Sequence, residues 1–424
     1  MDNRAIIQKS LDYIEDNLQT EIAAGELADM AGFSLFHYYR LFQQATGLPV
    51  MQYILRRRLL HGVYAISRGS TKVDAALNYG FDTYAGFYKA FCREFGCTPS
   101  AFLASSRARR PWRVVITKEE HMTITHKKAA QILKNWNLEG QTITDIYYEG
   151  TGNRNENACY VGKDYVLKYT CNLGKLKKHI EVSKALDNIG LLAAVPVLTN
   201  QGAEYILDGE IYFYVTHRLP GKQMASRDFG TGDGRFVGEI IGQLHLALKD
   251  IEDCVSEADL LATVRDWALP EAKKALELSD AFCKGYLEAF EKLYPALPRQ
   301  IIHRDPNPGN IICSGDKWGF IDFELAERNA RIYDPCYAAT AVLSETFGDD
   351  NDRWLETYRS IVWGYDSVAR LTEQEKQAIP YVILANQFVC VAWFSRQDKY
   401  ADIFETNKKM TLWLLDRFQK LGDI

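Results

Sequence analysis

A segment that occurs twice in the first hundred residues places the strongest constraint on the fold of this 424-residue chain. Residues 27–33 and 75–81 each contain an alanine, three further residues and a Gly-Phe pair. Both copies continue through apolar residues at helical spacing to a phenylalanine, Phe42 or Phe91, which a glycine follows five residues later. The offset of 48 to 49 residues between the copies indicates one supersecondary unit that is used twice.

The repeated unit is predicted to be two helices joined by a tight turn. The first helix, at about residues 25–31, would end at Gly32, because glycine adopts the left-handed conformation that such a turn needs. Ser34 is placed to cap the second helix, whose apolar residues recur at helical spacing up to Phe42. The second copy repeats this pattern around Gly80. Both copies therefore predict the helix-turn-helix arrangement.

Basic residues surround the two copies. A helix predicted over residues 51–67 carries Arg56, Arg57 and Arg58, and a second cluster follows at Arg107, Arg109, Arg110 and Arg113. Residues 40–113 hold 12 Lys and Arg against 3 Asp and Glu, although the whole chain has a formal net charge of −5. Basic side chains beside two recognition helices are what neutralisation of DNA phosphates requires. A helical bundle with a solvated basic face is the alternative explanation of these charges.

Residues 5–108 resemble the DNA-binding domain of AraC-type transcription regulators, in which one long helix joins two helix-turn-helix units. The matching residues are Ala28, Gly32, Phe33, Ser34, Arg40, Leu41, Phe42, Gly47, Arg58, Ala76, Gly80, Phe81, Phe87, Phe91 and the run Gly96-Cys97-Thr98-Pro99. The resemblance implies that the second helix of each unit enters the major groove of double-stranded DNA. The residues expected to bind DNA are Leu35, Phe36, His37 and Arg40 in the first unit, Thr83, Tyr84, Gly86, Tyr88 and Lys89 in the second, and Arg56 and Arg57 in the joining helix.

The strongest signal for chemistry lies in residues 301–312 and 319–324, which read Ile-Ile-His-Arg-Asp-Pro-Asn-Pro-Gly-Asn-Ile-Ile and Gly-Phe-Ile-Asp-Phe-Glu. Phosphoryl transfer needs a carboxylate that accepts or orients the proton of the acceptor hydroxyl, and Asp305 fits this role. Magnesium needs oxygen ligands, which Asn310 and Asp322 supply. The prolines and the glycine between Asp305 and Asn310 predict a fixed loop rather than a helix.

A nucleotide-binding region is predicted upstream of these segments. Gly150 and Gly152 lie in a turn between two predicted strands, and Lys168 ends an apolar stretch shortly after it. The helix predicted over residues 175–188 presents Glu181 as a partner for this lysine. A strand lysine with a helical glutamate partner is the ion pair of protein kinases.

Residues 130–415 resemble the kinase-like aminoglycoside phosphotransferase/choline kinase family, on the motifs His-x-Asp-(x)4-Asn from His303 and Ile-Asp-Phe from Ile321. The resemblance implies ATP or GTP, bound with Mg²⁺ between a sheet-rich lobe and a larger helical lobe. It implies catalysis by Asp305, nucleotide binding by Lys168, Glu181, Gly150 and Gly152, and metal binding by Asn310 and Asp322. His303 is expected to brace the loop, and Asp334 to lie behind the catalytic residues.

Two departures from that family's pattern stand out. Arg304 occupies a position where its small-molecule kinases often have glycine, and residues 150–157 form a polar loop with three asparagines. Neither departure removes a group that the chemistry needs. The fold class expected for the chain is therefore multidomain: an all-α double helix-turn-helix domain followed by a two-lobed α+β protein-kinase-like domain. The expected boundaries are 1–112 for the DNA-binding domain, 113–126 for a linker, 127–219 for the N-lobe and 220–424 for the helical C-lobe.

The phosphate acceptor is expected to be a small hydroxylated molecule. Acidic residues within 349–352 and the aromatic-rich segment 354–365 would suit a cationic or quaternary amine, although a solvated acidic loop and core aromatics give the same pattern. Three functions fit the sequence. The protein is a regulator that also phosphorylates a small molecule, a transcription factor whose kinase-like domain is an inactive ligand sensor, or a resistance-type kinase with an accessory N-terminal domain.

The sequence also predicts a cytoplasmic location. The nine cysteines are scattered and form no Cys-x-x-Cys pair, which is typical of a reduced protein without a zinc site. The polar start of the chain shows no signal peptide, and the apolar stretch at residues 381–394 is short for a membrane span and contains Asn386 and Gln387.

Overall fold

The computed structural model of the protein describes residues 3–105, 110–111, 113–116, 124–147, 154–224, 229–249, 251, 255–348, 351–396 and 401–423. The chain divides into two compact units, Met1–Cys171 with Pro196–Arg218 and Asn172–Val195 with Leu219–Ile424. The first unit contains a helical part and a β-sheet, and the second unit is mainly helical. Residues 172–195, inside the predicted N-lobe, belong to the second unit.

The helical part of the first unit contains the two predicted helix-turn-helix units. Its helices are α1 (Asn3–Asp16), α2 (Ala24–Ala31), α3 (Leu35–Thr46), α4 (Val50–Ser67), α5 (Lys72–Asn78), α6 (Tyr84–Phe95) and α7 (Pro99–Ser105). Both turns place a glycine in the left-handed region, Gly32 at φ 71° and Gly80 at φ 78°. Ser34 caps α3 and Thr83 caps α6, each by accepting a hydrogen bond from the backbone three residues on. The two copies therefore form the same local structure.

The long helix α4 joins the cores of the two copies. Its N-terminal half contributes Tyr53 and Ile54 to a core that includes Phe42, whereas its C-terminal half contributes Leu59 to a core that includes Phe87. An added Cβ at Gly62 would lie 2.7 Å from the Phe87 ring, so the glycine allows α6 to approach α4 closely. Because α4 lies between two cores, most of its surface is buried.

A six-stranded sheet and helix α8 (His126–Leu133) complete the first unit. The strands are β1 (Ile143–Tyr147), β2 (Arg154–Val161), β3 (Tyr165–Thr170), β4 (Pro196–Val197), β5 (Ile206–Asp208) and β6 (Ile211–His217). Their hydrogen-bonded order is β1-β2-β3-β6-β4, and β5 also pairs with β6. Leu167 and Tyr169 of β3 enter the core of this sheet, so the strand's alternation puts Lys168 on the opposite face.

In the described residues, the second unit packs ten helices and five short strands around a large apolar core. The helices are α9 (Leu173–Asn188), α10 (Thr231–Leu248), α11 (Leu260–Thr263), α12 (Leu269–Leu276), α13 (Asp280–Leu293), α14 (Tyr333–Thr346), α15 (Asn351–Val368), α16 (Glu373–Phe394), α17 (Ala401–Asp416) and α18 (Phe418–Leu421). The strands β7 (Lys222–Gln223), β8 (Arg299–Ile302), β9 (Ile311–Ser314), β10 (Lys317–Phe320) and β11 (Glu327–Ala330) form the sheets β10-β9-β7 and β11-β8. The loops that follow β8 and β10 carry Asp305 and Asp322.

Helix α16 contains the apolar stretch noted in the sequence and is longer than that stretch. Among the described residues it is the one helix that is long and apolar enough to cross a membrane by length and composition. Of its most apolar window, 67% is buried inside the protein, and Asn386 and Gln387 are buried as well. These properties are typical of the core helix of a globular domain.

Candidate functional site

One buried carboxylate anchors the loop between β8 and β9. Asp334, at the start of α14, accepts hydrogen bonds from the backbone N–H groups of His303 (2.7 Å) and Arg304 (3.0 Å). His303 is buried too, and its Nε2 lies 3.0 Å from the carbonyl oxygen of Ile321, next to Asp322. Both residues therefore hold the backbone in place, which is the supporting role that the sequence predicted for them.

The backbone of Arg304 explains why glycine suits this position. Its φ is 76°, in the left-handed region that a residue with a Cβ adopts only under strain. Its guanidinium makes two contacts: Nε lies 3.0 Å from Glu327 Oε1, and the face of the group lies 4.2 Å above the centre of the Tyr333 ring. The ion pair and the cation–π contact help the loop keep an arginine in this conformation.

Asp305 is oriented by hydrogen bonds from three side chains. Asn307 Nδ2 donates to its Oδ1 at 2.8 Å, and Asn310 Nδ2 lies 3.3 Å from its Oδ2 and 2.9 Å from its carbonyl oxygen. The hydroxyl of Tyr337 also bonds the carboxylate. Burial raises the pKa of Asp305 and Asp322 adds to this, whereas the bonds from Asn307 and Tyr337 and the nearby His303 lower it.

Tyr337 was not predicted from the sequence as part of the site. It lies on α14 one helical turn after Asp334, and its ring stacks on Tyr333 with centroids 5.8 Å apart. Burial raises the pKa of Tyr337 well above its usual value, and the charge of Asp305 raises it further, so the phenol keeps its proton and donates. Its spacing of three residues from Asp334 is the one signal in the sequence that could have placed it near the loop.

Asn310 and Asp322 offer the oxygen atoms that a magnesium ion needs. The amide nitrogen of Asn310 is used on Asp305, so its carbonyl oxygen remains for a ligand. Asp322 is exposed, sits at φ 68° and lies close enough to Asp305 to raise the pKa of that residue. No cluster of three or more His, Cys, Asp or Glu side chains able to hold a metal occurs in the described ranges. One carboxylate and one amide fit magnesium, which usually keeps waters and phosphate oxygens as its other ligands.

The predicted nucleotide-binding residues are divided between the two units, and two of them lie outside the described residues. Lys168 is half-buried on β3, in the first unit. Glu181 lies on α9, in the second unit, with an exposed side chain 3.4 Å from Lys184. Gly150 and Gly152 lie outside the described residues. The pairing of Lys168 with Glu181 therefore stays a prediction.

Helix α9 is tied to the segment that follows Asp322. Lys178 Nζ donates to the carbonyl oxygens of Glu324 (3.2 Å) and Ala326 (2.7 Å). This contact holds the predicted glutamate-bearing helix against the predicted metal-binding segment within the second unit. The sequence singled out Glu181 on this helix and missed Lys178.

Most of the predicted base-reading residues are exposed on the two recognition helices. On α3, Leu35, Phe36 and Arg40 are exposed, whereas His37 is half-buried and packs edge-on against Phe33 at 4.9 Å. On α6 and its cap, the exposed residues are Thr83, Gly86, Tyr88 and Lys89, and Tyr84 is half-buried. The hydroxyl of Thr83 already accepts the bond from Gly86 N at 3.1 Å.

The prediction that Arg56 and Arg57 bind DNA phosphates is wrong. Both arginines are only 3% exposed and form ion pairs inside the domain. Arg56 Nη1 lies 2.7 Å from Glu94 Oε1, and Arg57 makes two hydrogen bonds with Glu15, at 2.5 and 2.8 Å. They are buried because α4 lies between two cores, so the side chains of this helix meet acidic residues of neighbouring helices rather than solvent.

The aromatic segment proposed as an acceptor surface lies largely in the core. Trp354, Tyr358 and Tyr365 of α15 are buried, and Trp354 packs edge-on against Trp413 with centroids 5.8 Å apart. These three residues are therefore core aromatics, as the alternative explanation predicted, rather than part of an acceptor surface. Asp349 and Asp350 lie outside the described residues, and the exposed Asp352 faces Arg417 at 3.7 Å.

Fold and site together define a two-part protein, with a double helix-turn-helix domain and a kinase-like phosphotransferase domain. The phosphotransferase enzyme family model matches residues 144–371, more than half of the chain, and the helix-turn-helix domain model matches residues 27–105. The chain belongs to the phosphotransferase enzyme family, and its N-terminal part belongs to the helix-turn-helix transcription regulators.

Curated relatives match the N-terminal part. The HTH-type transcriptional activator AarP of Providencia stuartii is 32% identical over 102 residues, 24% of this chain and 76% of that protein. The transcriptional regulator Rob of Salmonella typhimurium is 27% identical over 158 residues, 35% of this chain and 55% of that protein. The chain thus spans about half the length of Rob, and 42% of the Bacillus subtilis regulator YbfP.

Solved structures match the C-terminal part. A microcompartment-associated aminopropanol kinase has a TM-score of 0.53 at 14% identity, with 70% of this chain and 98% of that chain covered. A spectinomycin phosphotransferase in complex with ADP and spectinomycin has a TM-score of 0.50 at 13% identity, with the same coverage. At these identities the likeness shows a shared fold.

Proposed function

We propose that the protein binds double-stranded DNA through its helix-turn-helix units and transfers a phosphoryl group from ATP or GTP, with Mg²⁺, to a hydroxyl group of a small molecule. The observation that carries the transferase part is the setting of Asp305. Its carboxylate is oriented by Asn307, Asn310 and Tyr337, in a loop that the buried Asp334 anchors. No lysine or arginine in the described part of the chain pairs with it, so the carboxylate is available to accept a proton.

Each predicted residue has a role in this proposal. Asp305 would accept the proton of the acceptor hydroxyl while the hydroxyl oxygen bonds to the γ-phosphorus of the nucleotide. The bond from that phosphorus to the bridging oxygen breaks, and the nucleoside diphosphate leaves. The carbonyl oxygen of Asn310 and the carboxylate of Asp322 would hold Mg²⁺, which when bound neutralises charge on the phosphates. Nucleotide binding would fall to Lys168, Glu181, Gly150 and Gly152.

The DNA-binding part of the proposal rests on the two capped recognition helices and on relatives that are named transcription regulators. With two such helices, one chain would meet two successive stretches of major groove. We propose domain boundaries at 1–112, 113–126, 127–219 and 220–424, and a cytoplasmic location in keeping with these partners.

Turnover of Mg²⁺–ATP and Mg²⁺–GTP by the purified full-length chain tests the transferase. The acceptor panel pools aminoglycosides, amino alcohols and sugars, and the variant is Asp305→Asn, which keeps the side chain's size. The matched control is Asp316→Asn, an exposed carboxylate in the turn between β9 and β10. We expect acceptor-dependent turnover that falls 10²- to 10⁴-fold in Asp305→Asn and is unchanged in Asp316→Asn.

Other outcomes separate the alternatives. Saturable binding of a nucleotide or panel compound without turnover would make the domain a ligand sensor. The absence of both turnover and binding would contradict the proposed transferase activity. Selection from a random duplex library tests the DNA-binding part, and failure to enrich any duplex at low salt would favour an accessory role for the N-terminal domain.

A further inference from the structure

The first recognition helix presents an apolar surface at the place where contact with DNA is expected. Phe36, in the first turn of α3, is 82% exposed, more than any other large hydrophobic residue among those described. Leu35 is 44% exposed and Tyr39, almost one turn further on, is 37% exposed. The helix carries no acidic residue, and Arg40 lies exposed beside this surface. We call Leu35, Phe36 and Tyr39 the α3 apolar surface.

The second recognition helix has a different surface at the same place. The first turns of α6 present Ala85 and Gly86, followed by the phenol of Tyr88 and the ammonium group of Lys89. The two helix-turn-helix units therefore share a backbone arrangement but not the chemistry of their exposed side chains. Two half-sites of different sequence are the natural partners of two such helices.

We infer that Phe36 reads thymine by packing against its C5-methyl group in the major groove, an inference that rests on the proposed DNA binding. In the major groove the thymine methyl is the apolar group that the base edges present, whereas the other features are hydrogen-bond donors and acceptors. A phenylalanine offers neither a donor nor an acceptor, and the N-terminal residues of a recognition helix are those that meet base edges.

Charge favours DNA over a protein as the partner of the α3 apolar surface. Residues 1–113, which include both recognition helices, hold 14 Lys and Arg against 10 Asp and Glu. Arg56 and Arg57 are neutralised by Glu94 and Glu15, and the remaining charges still give a net positive domain, which attracts a polyanion. A second copy of the chain would bring the same positive charge to the interface. The nearest acidic residues before the turn, Glu26 and Asp29, lie on the preceding helix α2.

Replacement of single thymines by deoxyuridine tests the inference, because deoxyuridine pairs like thymine and lacks only the methyl group. The probe is a duplex enriched from a random library with the full-length chain, and each thymine is replaced in turn. For the wild-type chain we expect about fourfold weaker binding at one or two neighbouring positions, which corresponds to the loss of one buried methyl group. In Phe36→Ala we expect weaker binding to the thymine duplex and no further loss with deoxyuridine at those positions.

Tyr88→Ala, on the second recognition helix, is the matched control. It should weaken binding overall and keep the fourfold deoxyuridine effect at the Phe36 positions. Full deoxyuridine sensitivity in Phe36→Ala, or insensitivity of the wild type at every position, would overturn the inference while leaving DNA binding intact. The inference about Phe36 is also overturned if light scattering shows that Phe36→Ala abolishes self-association while its DNA affinity is unchanged. If no duplex is enriched, the proposed DNA binding fails and the inference fails with it.

Discussion

Replacement of Glu15 by glutamine should destabilise the DNA-binding domain by about 3 kcal/mol. Glu15 is nearly buried, and its carboxylate accepts hydrogen bonds from Arg57 Nη2 (2.5 Å) and Nε (2.8 Å), with His61 Nε2 2.7 Å away. Glutamine keeps the size of the side chain but removes its charge. Arg57, only 3% exposed, is then left as a buried cation without a counter-ion, a change that usually costs about 3–5 kcal/mol.

The pKa of Glu15 gives an independent magnitude. Burial raises this pKa, but the charge of Arg57 and the hydrogen bonds from His61 and Arg57 outweigh burial and lower the pKa from 4.5 to about 2. Because each pKa unit corresponds to about 1.4 kcal/mol, ionisation of Glu15 stabilises the fold by roughly 3 kcal/mol. A depressed pKa in the folded state means that this stability is present above pH 4.5 and is lost as the pH falls towards 2.

Hydrogen exchange of the full-length chain, resolved by mass spectrometry on peptides from α1 and α4, measures this effect. The expected result at neutral pH is about a hundredfold loss of protection in Glu15→Gln for amides that exchange by unfolding of the domain. Between pH 4.5 and about 2 the variant should lose less stability than the wild type, because it lacks the carboxylate whose pKa the fold depresses. Glu26→Gln, an exposed carboxylate on α2, is the control and should change protection less than threefold. Protection in Glu15→Gln within threefold of wild type would refute the reasoning.

Three further predictions concern the second unit. Tyr337→Phe should lower kcat roughly tenfold with an unchanged KM for nucleotide, because Asp305 loses one donor, whereas Tyr333→Phe keeps the ring under Arg304 and serves as control in the same assay. Asp334→Ala leaves the backbone N–H groups of two loop residues without an acceptor, so thermal unfolding should show a loss of roughly 2–6 kcal/mol, and an unchanged Tm would contradict the anchoring role. Lys178→Met should speed hydrogen exchange in residues 323–327, and equal exchange would exclude the bonds from Lys178 as a support of that segment.

Local patterns allowed much of the fold to be predicted from the sequence. Helical spacing, cap residues and turn glycines lie within a few residues of one another, so the repeat around Gly32 and Gly80 predicted both helix-turn-helix units. The loop that carries Asp305 and Asn310 is equally compact in sequence, and the structure brings these two side chains into hydrogen-bonding contact. Their catalytic and metal-binding roles stay predictions. The failures concern pairs of residues that are distant along the chain.

Charge alone could not show which arginines face solvent. Arg57 pairs with Glu15, 42 residues earlier, and Arg56 pairs with Glu94, 38 residues later. Neither spacing belongs to a local pattern. From the sequence, three buried or partly buried arginines on one helix therefore could not be distinguished from an exposed DNA-binding surface. Tyr337 escaped prediction for the same reason, since its partner Asp305 lies on a different element.

A row of glycines on α10 is a sequence feature that indicates the packing behind the loop with Asp305. Gly234, Gly238 and Gly242 recur every four residues on α10, where each glycine costs about 1 kcal/mol relative to alanine. An added Cβ at Gly238 would lie 2.0 Å from the carbonyl oxygen of Ile361, so the row lets α15 approach α10 at backbone distance and buries the aromatic residues of α15.

The close approach of these two helices supports the loop through a chain of polar contacts. His245 of α10 lies with Nδ1 2.8 Å from the hydroxyl of Tyr365 on α15, and with Nε2 2.9 Å from the carboxylate of Asp334. Asp334 in turn accepts the backbone N–H groups of the loop that carries Asp305. The glycines that allow this packing stand more than sixty residues from Asp305. The sequence motif therefore points to the proposed catalytic group, whereas the rigidity of its loop depends on tertiary contacts outside the motif.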